Sequence, residues 1–122
     1  MRQLVAKEHN LQKTIVRILN LSGVFFFETD VMDGLKFCSS QNTRISFINH
    51  HISMGYKKGQ SDLILVLPKR IVFVELKNGK KGVQSDSQKE FQRKVEELGF
   101  EYIVWRSVDD CTEFLRELVN KK

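Results

Sequence analysis

Apolar positions alternate along the chain between helical spacing and short uninterrupted runs. Helical spacing marks three segments, 3–21, 85–98 and 109–120. Short runs rich in β-branched and aromatic residues, typical of strands, mark four others: 24–28, 62–67, 71–76 and 101–105. The pattern therefore predicts the order α-β-β-β-α-β-α, an α/β (α+β) fold with a mixed central sheet flanked by helices.

The runs 62–67 and 71–76 are joined by Pro68-Lys69-Arg70, which predicts a hairpin at the centre of the sheet. Both runs are almost continuously apolar, so we expect the two strands to be buried on both faces. Residues 31–60 are the least regular part, with one helical turn at 44–53, and we interpret this segment as a functional loop region.

The whole chain, 1–122, is predicted to form one domain, because it contains no repeat, no low-complexity linker and a single proline. Cys38 and Cys111 are far apart and fit no zinc-binding spacing, which favours reduced thiols. No run of residues is apolar enough to span a membrane, and the first twenty residues do not resemble a secretory signal. We therefore expect a cytoplasmic protein without a membrane partner.

Positive charge adds a candidate partner to this picture. The chain has 20 Lys and Arg against 15 Asp and Glu, a net charge of +5 and a pI near 9.3. Charge of this size alone is weak evidence, but the segment 57–81 holds seven basic residues. We interpret it as a phosphate-binding groove. The candidate DNA-binding residues are Lys57, Lys58, Lys80 and Lys81.

Three charged residues within the predicted hairpin carry the candidate chemistry. Glu75 and Lys77 lie two positions apart on one strand, so their side chains point to the same face. A turn at 68–70 brings Asp62, at the start of the other strand, level with them. The alternative is that these residues are merely the polar ends of strands, reaching solvent.

Two further polar residues fall within otherwise apolar helix stripes. Glu8 lies on the apolar arc of the first helix, either as a third carboxylate of the site or as a charge near the helix start that bends out to water. Gln88 lies on the apolar arc of the second helix, where Ser85 three positions earlier also indicates a capping box. Three converging carboxylates would repel one another, so Lys77 and a hard divalent cation, Mg²⁺ or Mn²⁺, are expected among them.

The order of these segments resembles a known nuclease motif. Gly59-Gln60-Ser61-Asp62, then Val74-Glu75-Leu76-Lys77, then Gln88 look like the PD-(D/E)XK nuclease motif, and more narrowly like the VRR-NUC family. The narrower likeness rests on several short segments: Glu8-x-x-Leu11-Gln12, Lys57-Lys58-Gly59, Gly-Lys-Lys-Gly at 79–82, and the stretch 99–110. The likeness spans about 8–118, and it departs from the superfamily motif in having Ser61 where the name gives a proline.

The resemblance implies a role for each residue of the motif. The side chains of Asp62 and Glu75 and the backbone carbonyl of Leu76 would bind the metal ion, and Lys77 would act on the attacking water or the transition state. Glu8 would be the carboxylate of the first helix, and Gln88 the glutamine of the second helix that completes the pocket.

The implied function is a Mg²⁺- or Mn²⁺-dependent endodeoxyribonuclease acting on Holliday junctions or other branched DNA, as a homodimer. Two cuts in a branched duplex need two sites, and a two-fold dimer supplies them. The apolar residues of 31–60 would form the interface or, alternatively, cover the sheet of their own chain.

A non-catalytic nucleic-acid-binding module is the alternative function. A restriction or mismatch-type nuclease is a third, although 122 residues leave little room for specificity elements. The adjacent His50 and His51 favour phosphate contact over a second metal site, because neighbouring side chains point apart.

Overall fold

The computed structural model describes residues 2–29, 31–79 and 82–120, with side chains from Asn10 onward except at positions 31 and 33. The elements of these ranges are α1 (Arg2–Leu21), β1 (Phe25–Glu28), the 3-10 helix η1 (Val31–Phe37), α2 (Gln41–Ser53), β2 (Leu63–Leu67), β3 (Arg70–Leu76), α3 (Asp86–Glu97), β4 (Glu101–Trp105) and α4 (Val108–Asn120). The mixed α/β fold class is confirmed. The predicted order α-β-β-β-α-β-α is corrected by two additional helical elements, η1 and α2, within the segment interpreted as a loop region with one helical turn at 44–53.

The four strands form one mixed sheet in the order β1-β2-β3-β4. The pairs β1–β2 and β2–β3 are antiparallel, and β3–β4 is parallel, with α3 in the crossover between them. Leu67 pairs with Arg70 across the tight turn at Pro68-Lys69, where Lys69 has a positive φ of 58°. The predicted central hairpin is therefore present, and its turn fixes which residues of β2 and β3 lie side by side.

One face of the sheet holds the hydrophobic core. Ile15 and Leu19 of α1 are fully buried against Leu65 and Val72 of the hairpin, and Cys111 of α4 completes the cluster. Burying an aliphatic side chain of this kind contributes roughly 1.5–3 kcal/mol. The helical spacing of the first helix thus correctly predicts its buried stripe from Leu11 onward.

The opposite face is covered only in part. The Phe91 ring of α3 contacts Phe73 of β3 edge-on, with 6.0 Å between the ring centroids. Beyond the reach of α3, Val66 and Ile71 remain more than one third exposed. The expectation that both strands are buried on both faces is therefore wrong for this end of the hairpin.

Helix α2 does not supply the missing cover. It begins with a capping box in which the hydroxyl groups of Ser40 and Thr43 bond reciprocally to each other's backbone amides. None of its residues is buried, and it packs against η1. Apolar side chains such as Ile45 and Ile52 therefore stay about half exposed. Among the described residues, no helix combines the length and apolar character needed to cross a membrane.

Candidate active site

The start of β2 and the end of β3 lie directly beside each other. The Asp62 amide donates to the Val74 carbonyl at 3.0 Å, and the Asp62 Oδ2 accepts from the Leu76 amide at 2.7 Å. The hairpin turn sets this register, because each residue paired across it places the next pair. Asp62 is thus level with the Glu75-Leu76-Lys77 segment, as the sequence predicts.

Glu75 is an almost fully buried carboxylic acid, with 2% of its surface exposed. Burial, followed by the negative charge of Asp62, raises the pKa of its carboxyl to about 8. Lys77 opposes this rise, because its Nζ lies 4.0 Å from the Glu75 Oε1. The two carboxylates and the ammonium therefore converge, and the alternative that Glu75 simply reaches solvent is excluded by its burial.

Gln88 performs both of the roles that the sequence left open. It is the third residue of α3, where its Oε1 accepts from the Ser85 amide at 2.9 Å and completes a capping box. Its Nε2 donates to the Glu75 Oε1 at 2.7 Å. The two ends of one amide group thus tie the start of α3 to the acidic residue of β3.

A tight turn brings the basic segment to the same place. Gly59 has a φ of +84°, and a Cβ built there would lie 2.3 Å from the Ser87 carbonyl carbon. Only glycine permits this approach. A cleft of about 410 Å³ opens between this turn and the start of α3, and Lys58 and Asp62 are part of its lining. Lys57 and Lys58 are exposed beside it.

Ser61, which stands where the superfamily motif has proline, is a buried residue. It is 1% exposed, and its hydroxyl donates to the Leu63 carbonyl at 3.3 Å. The Thr29 hydroxyl donates to the Ser61 carbonyl from the end of β1. These bonds fix the backbone just before Asp62. The position of Asp62 is therefore defined even though residue 61 is not a proline.

Two residues next to Glu75 were not singled out from the sequence. The Tyr102 hydroxyl lies 3.4 Å from the Glu75 Oε2, and the Gln84 Nε2 lies 3.4 Å from the Tyr102 oxygen. Strand alternation indicates which residues of β4 share a face with Tyr102. The pairing of β4 beside β3 through a helical crossover is what places it below Glu75, and no local pattern specifies that pairing.

For three of the predicted site residues, the structure does not describe the side chain. The Glu8 side chain, Lys80 and Lys81 lie outside the described part of the structure. Among the described side chains, no three His, Cys, Asp or Glu residues form a group able to hold a metal ion. His50 and His51, in the last turn of α2, therefore belong to no such group.

The donor chemistry of the described pair nevertheless fits a hard divalent cation. Asp62 and Glu75 offer carboxylate oxygens from adjacent strands, and such oxygens are the ligands that Mg²⁺ and Mn²⁺ prefer. Burial first, and then the negative charge of Asp62, raises the Glu75 pKa, so an ionised Glu75 is unfavourable here without an added positive charge. Leu76 follows Glu75 directly, so its backbone carbonyl belongs to the same strand end.

Comparison with known proteins identifies the fold. A solved structure described as a VRR_NUC domain protein superimposes with a TM-score of 0.64 over 89% of this chain and 84% of that chain, at 16% sequence identity. No protein-family model matches the chain. No curated protein is similar to it either. The four-stranded mixed sheet with its flanking helices thus has the fold of that VRR_NUC domain protein, and identity this low establishes the fold alone.

Proposed function

We propose that this chain is a Mg²⁺- or Mn²⁺-dependent DNA endonuclease that hydrolyses phosphodiester bonds. The observation that carries the proposal is the pairing of buried Glu75 with Asp62 across the central hairpin, with Lys77 beside them. Holding a buried carboxylate beside a second carboxylate lowers stability, which indicates that the pair serves a purpose that needs both. Binding a cation at a phosphate-processing site is such a purpose on a nuclease fold.

Each residue then has a role that follows from its position. The carboxylates of Asp62 and Glu75 and the Leu76 carbonyl would hold the ion, which when bound supplies positive charge next to the scissile phosphate. The Lys77 ammonium, next to Glu75, is placed to orient the attacking water or to stabilise the charge that develops on the phosphate. Gln88 keeps the Glu75 carboxylate in position, and Glu8 would add a carboxylate from α1.

DNA binding is assigned to the basic segment around the cleft. Lys57 and Lys58 are exposed, so their charge is accessible to phosphates. Lys80 and Lys81, which lie outside the described residues, are assigned to the same DNA-binding role from the sequence alone. Contacts of this kind supply affinity without reading the base sequence.

We also propose branched DNA as the substrate and a two-fold homodimer as the active form. One chain offers one such site, and resolving a four-way junction requires two cuts. The exposed apolar side chains of η1 and α2 support the dimer, because they do not cover the sheet of their own chain. They include Phe37, Ile45 and Ile52. A second copy would remove them from water.

A cleavage assay with matched variants tests the proposed activity. Four-way, flap and linear duplex DNA are incubated with the protein in Mg²⁺, in Mn²⁺ and in EDTA. We expect metal-dependent cleavage, strongest on the branched substrates, that disappears in Asp62→Asn. Asp109→Asn, an equal change at an exposed position of α4, should retain it. Binding by the wild-type protein without cleavage in either metal would instead identify a non-catalytic DNA-binding module.

Light scattering tests the assembly. We expect a mass near twice 14.3 kDa at micromolar concentration, or on addition of junction DNA. A mass that stays near the monomer value in both conditions would refute the dimer and leave the cleavage proposal standing.

A further inference from the structure

Tyr102 lies under the candidate metal site without being one of its expected residues. It pairs with Phe73 in the register of β3 and β4, which places it on the same face of the sheet as Glu75. It is 6% exposed, and its hydroxyl lies 3.4 Å from the Glu75 Oε2. A buried tyrosine hydroxyl needs a hydrogen-bond partner, and here Glu75 is one.

Gln84 determines what that hydroxyl can do. Its Nε2 lies 3.4 Å from the Tyr102 oxygen and 3.0 Å from the Gln92 Oε1. An amide nitrogen only donates, so the Tyr102 oxygen accepts from Gln84 and its own O–H remains to donate to Glu75. The chain of contacts therefore runs from α3 through Gln84 and Tyr102 to the carboxylate.

The Glu75 carboxylate is thus approached by a donor at each oxygen. Gln88 donates to Oε1 at 2.7 Å, and Tyr102 faces Oε2. The terminal torsion of a glutamate is soft and rotates freely unless both oxygens are held. The Tyr102 contact, at 3.4 Å, is the longer of the two.

We propose that Tyr102 is a positioning residue for the metal site. Its hydroxyl, oriented by Gln84, holds the ionised Glu75 carboxylate in the orientation that faces Asp62 and receives the divalent cation. This inference rests on the proposed metal-dependent nuclease function. Partners that hold a metal ligand from behind typically contribute 10–100-fold in metal affinity or activity.

The ring of Tyr102 has a separate, purely structural role. Its centroid lies 6.2 Å from that of Phe91, which in turn contacts Phe73. Phenylalanine at position 102 keeps this packing and removes only the hydroxyl. Tyr102→Phe therefore tests the positioning role without opening a cavity.

The experiment measures Mn²⁺ binding to the DNA-free full-length protein by calorimetry, with the rise in melting temperature on adding MnCl₂ as a second readout. We expect Tyr102→Phe to weaken Mn²⁺ binding about 10-fold, with cleavage at saturating Mn²⁺ within a few-fold of wild type. Gln84→Leu should shift Mn²⁺ binding in the same direction by less, because it frees the hydroxyl to turn away.

Val95→Ala is the control for general destabilisation, since Val95 is a buried apolar residue of α3. It should lower the melting temperature while leaving Mn²⁺ affinity unchanged. Mn²⁺ affinity within two-fold of wild type in Tyr102→Phe, or an equal loss in Val95→Ala, would overturn the positioning role alone. A wild-type protein that neither binds Mn²⁺ nor cleaves DNA would overturn the proposed function together with this inference.

Discussion

Replacing Glu75 with glutamine separates what the site contributes to chemistry from what it does to stability. The new side chain has the same shape, and its oxygen can still accept from Gln88. Its amide nitrogen replaces the oxygen that faces Tyr102, and the side chain carries no negative charge beside Asp62. We therefore expect Glu75→Gln to abolish metal-dependent cleavage and yet to make the metal-free protein more stable at high pH.

The sign follows from the protons bound by the folded and unfolded chains. The folded pKa of about 8 lies above the ordinary value of 4.5, so the folded protein keeps a proton that the unfolded chain releases. Stability of the wild type therefore falls as pH rises from about 4.5 to about 8, and the loss is complete above pH 8. The Glu75→Gln variant has no carboxyl group at this position, so this fall in stability is absent from it.

The size of the effect follows from the same two pKa values. At about 1.4 kcal/mol per pH unit, the interval from 4.5 to about 8 corresponds to a ceiling of roughly 5 kcal/mol. Movement of the Lys77 ammonium toward the ionised carboxylate reduces this loss of stability. A net gain of about 2 kcal/mol would raise the melting temperature of a domain of this size by roughly 5–10 °C.

The assay is urea unfolding followed by circular dichroism in EDTA at pH 5.5, 7 and 8.5. The quantity compared is the difference in unfolding free energy between Glu75→Gln and wild type, which should grow with pH. Glu96→Gln, an equal change on the exposed face of α3, should show no such trend. A Glu75→Gln protein that is less stable than wild type at pH 8.5 would refute the account of a buried carboxylate held beside a second one.

Two further predictions concern the turn beside the cleft. Gly59→Ala should reduce cleavage more than ten-fold, because the added Cβ collides with the backbone of the first turn of α3 and displaces the start of β2. Gly55 also has a positive φ, of +109°, but open space around it, so equal losses in Gly55→Ala and Gly59→Ala would show backbone strain to be the cause. Lys57→Ala combined with Lys58→Ala should weaken binding of all DNA sequences alike and lower the slope of log Kd against log salt by up to about 2, measured by fluorescence anisotropy. An unchanged slope, or an equal change in exposed Lys13→Ala on α1, would place the turn away from DNA.

The acidic pair could be predicted because its geometry is local. Two apolar runs separated by a short turn leave only one register in which both keep their core faces buried. That register alone makes Asp62 level with Glu75 and Lys77. Both roles of Gln88 could also be predicted from one short segment. Its position three residues after Ser85 indicates the capping box, and its place on the apolar stripe of the helix indicates that it faces the sheet.

Helix α2 was predicted only as one helical turn at 44–53, and its full extent was not, because nothing in its apolar pattern distinguishes a core-facing side. Its start is specified by Ser40 and Thr43 instead of the more familiar acidic residue of a capping box. A helix that buries no side chain leaves no stripe in the sequence to detect. Tyr102 was overlooked for another reason: its contact with Glu75 depends on the parallel pairing of β3 and β4, which residues on either side of α3 do not encode.

Single-turnover cleavage by Lys77→Ala, at DNA concentrations that saturate binding, tests the central claim most directly. Lys77 is close to Glu75 but is not expected to hold the ion, so its removal should leave Mn²⁺ and DNA affinities within a few-fold of wild type. We expect the cleavage rate at saturating Mn²⁺ to fall at least 100-fold, as for loss of a group that acts in the transition state. Exposed Lys94→Ala, on α3, should cleave at the wild-type rate. Cleavage by Lys77→Ala at a rate close to wild type would contradict the assignment of this hairpin as the active site.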